Sequence, residues 1–254
     1  MGHDYELHEE LELRCTPEQV WDAIATGPGI DAWFLGHNEV APGLGGLMRS
    51  DFAGGVIPET TIAAWEPGER LVTHSETAAD GRFLAHEHLI SAGDGGSTVL
   101  RIVTSEFLPG DDWETEFKAM RAGECVFRSS LVEYLTHFAG RKACPITVFS
   151  PAIDDWPGAW RALDEALGLR SPERGERVQM DVPGIGPIDG VLFSSNDQSR
   201  SIRTPAAMHR FIQGFLGPMV LSHIVFAEPG DTRPDGAGAG QAWQAWTDGL
   251  FAHQ

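Results

Sequence analysis

The sequence predicts an α+β protein in which a curved antiparallel sheet surrounds one long helix, followed by a second α+β unit. Three observations predict it. Short strand-like runs separated by Gly-rich turns fill residues 45–106. One long amphipathic helical pattern follows, from Trp113 to Phe138. The remaining chain again starts with a strand and a helix and again ends with a helix after strands.

The elements of the first half follow from local chemistry. Tyr5, Leu7, Leu11 and Leu13 interleave with polar residues, the period-two pattern of a half-buried strand. Thr16-Pro17-Glu18-Gln19 then has the parts of a capping box, with Pro17 suited to the first helical position. The helix it starts carries Val20, Trp21 and Ile24 and stops at Gly27-Pro28-Gly29; a short second helix is expected over 30–34. Strands are expected at 47–53, 60–65, 70–77, 82–91 and 97–106, the last two joined by the hairpin turn Gly93-Asp94-Gly95-Gly96. The long helix places Trp113, Phe117, Met120, Phe127, Leu131, Leu135 and Phe138 three or four residues apart. A bent antiparallel sheet needs cover on one face, and this helix can supply it while leaving a ligand cavity.

Several short runs recur together: Val20-Trp21-Asp22-Ala23, Trp33-Phe34, Gly45-Gly46, Trp65-Glu66-Pro67 with Arg70-Leu71-Val72, and Gly96-Ser97-Thr98-Val99-Leu100. In this order they resemble the START-like (SRPBCC) superfamily, in the branch named for the activator of the 90-kDa heat-shock-protein ATPase. The resemblance covers about residues 5–140. It implies the helix-grip fold over 1–142 and, for that branch, usually no known enzymatic activity. Wider members bind lipids, steroids or polyketides, and a minority are cyclases; no shared catalytic motif transfers to this chain. One departure stands out. That family often has Gly-Trp inside the last helix, where this chain has Gly123-Glu124. The helical period places Glu124 near Phe117, Met120 and Leu131, where a carboxylate is costly unless paired.

Residues 143–254 are expected to form a second α+β domain, a truncated or degenerate helix-grip copy, with an unrelated extension as the alternative. Strands are expected at 144–150, 177–182, 188–194, 199–203 and 220–227. A helix capped by Asp154 or Asp155 runs through Trp156, Trp160, Leu163 and Leu167, and 241–251 closes the chain as a helix. Met208 to Phe215 has helical spacing. Residues 229–240 read as a flexible loop.

Composition narrows the function. The 37 acidic against 18 basic residues give a formal charge of −19, which disfavours nucleic acid and anionic membrane surfaces as partners. Cys15, Cys125 and Cys144 form no CxxC pair, and Met1 to Glu6 lacks the features of a signal peptide, so a cytoplasmic location is expected. No Walker, HExxH or GxSxG pattern occurs, and no cofactor is expected.

The candidate ligand-binding residues are Trp33, Phe34, Trp65, His74, His86, His88, Trp113, Phe117, Met120, Glu124 and Phe127, with Phe83 and Phe107 as further aromatics. His86 and His88 are two apart in a strand and share a face. With His74 they could hold zinc at an open position, against the alternative of scattered polar residues; no ligand-spacing signature supports a metal. Glu124 is the candidate catalytic base, against the alternative of a structural ion pair. Three functions follow. The leading one is noncatalytic binding of a hydrophobic or amphipathic small molecule. The others are a cyclase or hydratase using a cavity carboxylate, and a chaperone-ATPase cofactor or other interaction role. Homodimerisation is left open.

Overall fold

The computed structural model describes residues 2–52, 55–111, 113–214, 217–228 and 238–252. The chain divides into two units. One comprises Met1–Arg121 and Ser130–Gly140, the other Ala122–Ser129 and Arg141–Gln254.

The first unit begins with β1 (His3–Leu13), whose odd-numbered residues from Tyr5 to Leu13 turn to the covered face. Thr16 caps α1 (Pro17–Ala25). Its hydroxyl accepts from the Gln19 amide, and the Gln19 side chain accepts from the Thr16 amide, so the expected capping box is present. Thr26 then caps α2 (Gly27–Asp31) through the Gly29 amide. The run Gly27-Pro28-Gly29 therefore opens a second helix as well as ending the first, and α2 starts three residues before the expected 30–34. Pro28 fits because the first turn of a helix has no use for its missing N–H.

The strands β2 (His37–Val40), β3 (Leu47–Phe52), β4 (Gly55–Val56), β5 (Thr60–Glu66), β6 (Arg70–Ser75), β7 (Phe83–Ala92) and β8 (Thr98–Leu108) follow. The sheet order is β1-β8-β7-β6-β5-β3-β2, with β4 paired to β3. All its pairs are antiparallel. The β7–β8 hairpin turns through Gly95 and Gly96, both at positive φ (65° and 87°), where a side chain would be strained. β2 was not expected from sequence; four residues reading His-Asn-Glu-Val carry too little apolar alternation to announce a strand.

The long helix α3 spans Trp113–His137. Its first turns lie over the inner face of the sheet, as four contacts show. Trp113 stacks on His3 at 4.2 Å and Phe117 meets Tyr5 edge-on at 4.6 Å. Arg121 reaches Glu9 at 3.4 Å, and Glu116 pairs with Arg82. His3, Tyr5 and Glu9 share one parity on β1 and therefore one face. The first unit is thus a sheet with a long helix against its inner face, the helix-grip arrangement. Leu13, Val20, Ile24, Leu71, Leu100, Leu108, Leu131 and Leu135 form part of its buried apolar interior.

The second unit runs β9 (Ala143–Ala152), α4 (Trp156–Ala166), β10 (Arg177–Val182), β11 (Gly186–Asn196), β12 (Ser199–Arg203), β13 (Ala207–Gln213), β14 (Pro218–Phe226) and α5 (Ala239–Leu250). Its sheet order is β10-β11-β12-β13-β14-β9. In both sheets the first strand pairs beside the last and the others follow in descending order, and in both a helix follows the first strand. The second sheet is a shorter version of the first topology. Trp243 and Phe251 at the chain's end pack with Phe211, Leu221, Val148 and Ile202 of this sheet, so α5 holds the place that α3 holds in the first unit.

The expected helix from Met208 to Phe215 is instead β13. Ala207 to Phe211 are all buried, as are Met219 to Ile224 on β14. A strand buried on both faces loses period-two alternation, so the three- and four-residue spacing of Met208, Phe211 and Phe215 imitated a helix. Of the loop expected over 229–240, residues 229–237 lie outside the described residues, and Ala239 onward is helix. No helix among the described residues is long and apolar enough to cross a membrane.

Candidate functional site

Cross-strand register decides which side chains share the inner face of the first sheet. One row crosses five strands as Leu7, Thr104, His86, Thr73 and Ile62. The next reads Glu9, Ile102, His88, Leu71 and Trp65. A third joins Tyr5, Glu106 and Leu84, and the Leu84 amide donates to the Ser75 hydroxyl at 3.0 Å. Folding alone would fill these rows with aliphatic residues. This sheet instead encloses Thr104 (2% exposed), Glu106 (3%), Thr73 (6%) and Ser75 (8%).

Two groups give the face its chemistry. Tyr5 donates its hydroxyl hydrogen to Glu106 Oε2, tying the edge strand to the buried carboxylate. His86 and His88 lie with ring centroids 6.1 Å apart. His88 is only partly buried as a residue, yet its Nδ1 is shut away from solvent with no hydrogen-bond partner. Burial first, and the neighbouring His86 second, push the His88 imidazole down to about 3, so it is neutral at physiological pH. A neutral imidazole offers one donor and one acceptor. A buried polar atom with neither costs about 1–3 kcal/mol.

The expected site residues sort by face and by unit. His86 and His88 do point the same way, to the inner face. His74 does not join them. Thr73 is buried on the inner face, so His74, one residue on, is exposed on the other, with its Nδ1 at 3.0 Å from the Ser75 carbonyl oxygen. Glu87 also faces outward and pairs with Arg70 at 2.7 Å. The three histidines therefore do not converge, and among the described residues no group of three or more His, Cys, Asp or Glu could hold a metal ion.

Trp113 and Phe117 stand over β1, while Trp65 sits on the inner face edge-on to Trp21 at 4.9 Å. The Trp33 indole donates to the Ala23 carbonyl at 2.8 Å and lies 5.6 Å from Phe34, which joins these two aromatics to the α1–α2 corner. Met120 is partly buried on α3. Phe83 and Phe107 are cross-strand partners of odd parity and lie on the outer face.

Glu124 and Phe127 fall in the segment Ala122–Ser129, which belongs to the second unit. Glu124 pairs with Arg128 one turn on at 3.3 Å, and the Arg210 guanidinium lies 5.7 Å from the Phe127 ring centre. The carboxylate that lies enclosed on the first sheet's inner face is that of Glu106. Sequence reasoning missed it, although strand parity could have found it. Leu100, Ile102 and Leu108 mark the inward positions of β8, and Thr104 and Glu106 occupy the same parity.

No protein-family model matches the chain, and no curated protein matches it. Solved structures do match. The di-domain ARO/CYC BexL from the BE-7585A biosynthetic pathway is 13% identical over 95% of this chain and 91% of its own, with a TM-score of 0.47. DynU16, from the dynemicin biosynthetic locus, is 19% identical over 96% of each chain, with a TM-score of 0.44. The Aha1 dimer from Colwellia psychrerythraea is 18% identical over 52% of this chain and 96% of its own, with a TM-score of 0.42.

Proposed function

We propose that the first unit binds an amphipathic small molecule between the inner face of its sheet and the first turns of α3. The observation that carries this reading is the unpartnered Nδ1 of His88 on a face that also buries Thr73, Thr104 and Glu106. Binding a ligand there would turn a polar interior from a cost into a source of selectivity. The ligand's apolar part would rest against Trp113 and Phe117, and its polar end would meet His88 and Thr104. Area removed from water would supply about 25 cal/mol per Å² before ordering costs are subtracted.

Native mass spectrometry and a thermal-shift screen of lipids and aromatic polyketides test this. A ligand present at a hundred times its Kd should stabilise the protein by about 2.7 kcal/mol. Thr104→Val and His88→Phe should each weaken that ligand about fivefold, the worth of one neutral hydrogen bond. Binding indifferent to both substitutions would refute the site. If the bound molecule is also turned over, Glu106 replaces Glu124 as the proposed cavity carboxylate, and Glu106→Gln should then abolish turnover while binding persists.

A further inference from the structure

The second unit has a cavity of its own, of about 540 Å³. It opens between the sheet and the first turns of α5. Ile188, Ala207 and Val225 form its strand wall, Ala239 its helical wall, and His209 and Trp243 also line it. Register explains the grouping. Ala207 pairs with Val225, and His209 pairs with Ile202, a residue of the buried apolar cluster to which Trp243 also belongs. Ala207, His209 and Phe211 therefore share the face that α5 covers.

His209 is the feature that packing does not explain. It is 6% exposed and its Nδ1 has no hydrogen-bond partner. Its ring lies 5.0 Å from His223 and 5.4 Å from Trp243. The neighbouring His223 accepts the Arg210 amide at its Nδ1, at 3.1 Å, and its Nε2 is buried without a partner, but it does not line the cavity as His209 does. Burial pushes His209 down to about 4, which leaves it neutral and able both to give and to take one hydrogen bond. The other polar groups at the cavity are already occupied. Asp189 accepts from Arg177 at 2.9 Å, and the Thr204 hydroxyl accepts the Ala207 amide at 2.9 Å. The volume lies within the range of small-molecule sites, and a few polar groups among apolar walls are their usual composition.

We infer that this cavity is a second small-molecule site, selective for an uncharged, flat, apolar molecule bearing one hydroxyl that pairs with His209. Asp189, the charged residue of the lining, is already paired with Arg177, and the His209 imidazole is neutral, so the cavity presents no unpaired charge to an anion or a cation. The indole of Trp243 supplies a flat wall. This site is independent of the one proposed in the first unit, since every residue of it lies in the second.

The probe is 2-naphthol, with naphthalene as the partner lacking the hydroxyl, titrated calorimetrically into the full chain. Wild type should bind 2-naphthol about fivefold more tightly than naphthalene, the worth of one neutral hydrogen bond. His209→Phe should remove that preference. Ala239→Trp, on the partly buried first turn of α5, should fill the cavity and remove one binding event while leaving the first unit untouched; it also serves if His209→Phe fails to fold. No uptake by wild type, an unchanged isotherm in Ala239→Trp, or a preference that survives in His209→Phe would each overturn the inference.

Discussion

The second unit should lose stability in mild acid faster than the first, and the reason is its buried imidazoles. His209 and His223 are both enclosed, at 6% and 0% exposure, and burial pushes both below the ordinary histidine value of 6.5. His209 falls to about 4 and His223 falls well below 6.5, the latter aided by the positive charge of His209 and Arg210. The first unit has one such group, His88 at about 3. A lowered histidine pKa means that the unfolded chain binds the proton first. Stability is therefore fully present above pH 6.5 and falls as pH drops towards the folded values. Each group adds a slope approaching about 1.4 kcal/mol per pH unit inside that window. Between pH 6.5 and 5 His209 and His88 each account for a loss of roughly 1.5 kcal/mol, and His223 adds to the loss of the second unit in the same direction. A domain stable by about 5–15 kcal/mol would register this clearly. Urea titrations at pH 7, 6 and 5, with hydrogen exchange to assign each transition to a unit, would measure it. His223→Leu should flatten the second unit's slope by about one proton. Equal slopes for the two units, or no flattening in that variant, would refute the reasoning.

Two further predictions concern structure around the first site. Asp31 is buried and accepts from the Asn38 amide at 2.6 Å and the Asn38 side chain at 3.0 Å, with His37 Nδ1 at 2.8 Å. Asp31→Ala should strand those donors and cost about 2–3 kcal/mol in a urea melt of the first unit. Thr16→Ala removes the N-cap of α1 and should cost about 1 kcal/mol in the same assay, with Thr16→Ser restoring most of it.

Local signals were legible in the sequence. The capping box at Thr16 and Gln19 appears as read, because a capping box is complete within four residues. The long helix begins at the expected Trp113 and ends one residue before the expected Phe138, because 25 residues of helical period leave little ambiguity. The shared face of His86 and His88 follows from spacing alone. What could not be read was which face that is relative to the neighbouring strand. Pairing His86 with Thr73 puts His74 on the opposite side, and register of this kind is set by tertiary contacts. Glu124 shows the same limit on a helix. Helical spacing puts Arg128, four residues on, within reach of its carboxylate, and the two do pair, but spacing could not say that this turn would belong to the second unit. The strand at Ala207–Gln213 failed for a third reason, since burial on both faces erased the alternation that marks a strand.

In each sheet the earliest strand pairs with the latest, and this constrains how the chain comes off the ribosome. His3–Leu13 meets its partner only when Thr98–Leu108 has been made, and Ala143–Ala152 must wait for Pro218–Phe226. Such distant partners make closure of the polypeptide loop the slow event. Until then the first strand of each half has neither edge paired, and in the finished sheet it has one strand neighbour among the described residues. On β1 the outward side chains Glu6, Glu10 and Glu12 put like charge along that edge, which discourages one nascent chain from pairing with another during the wait.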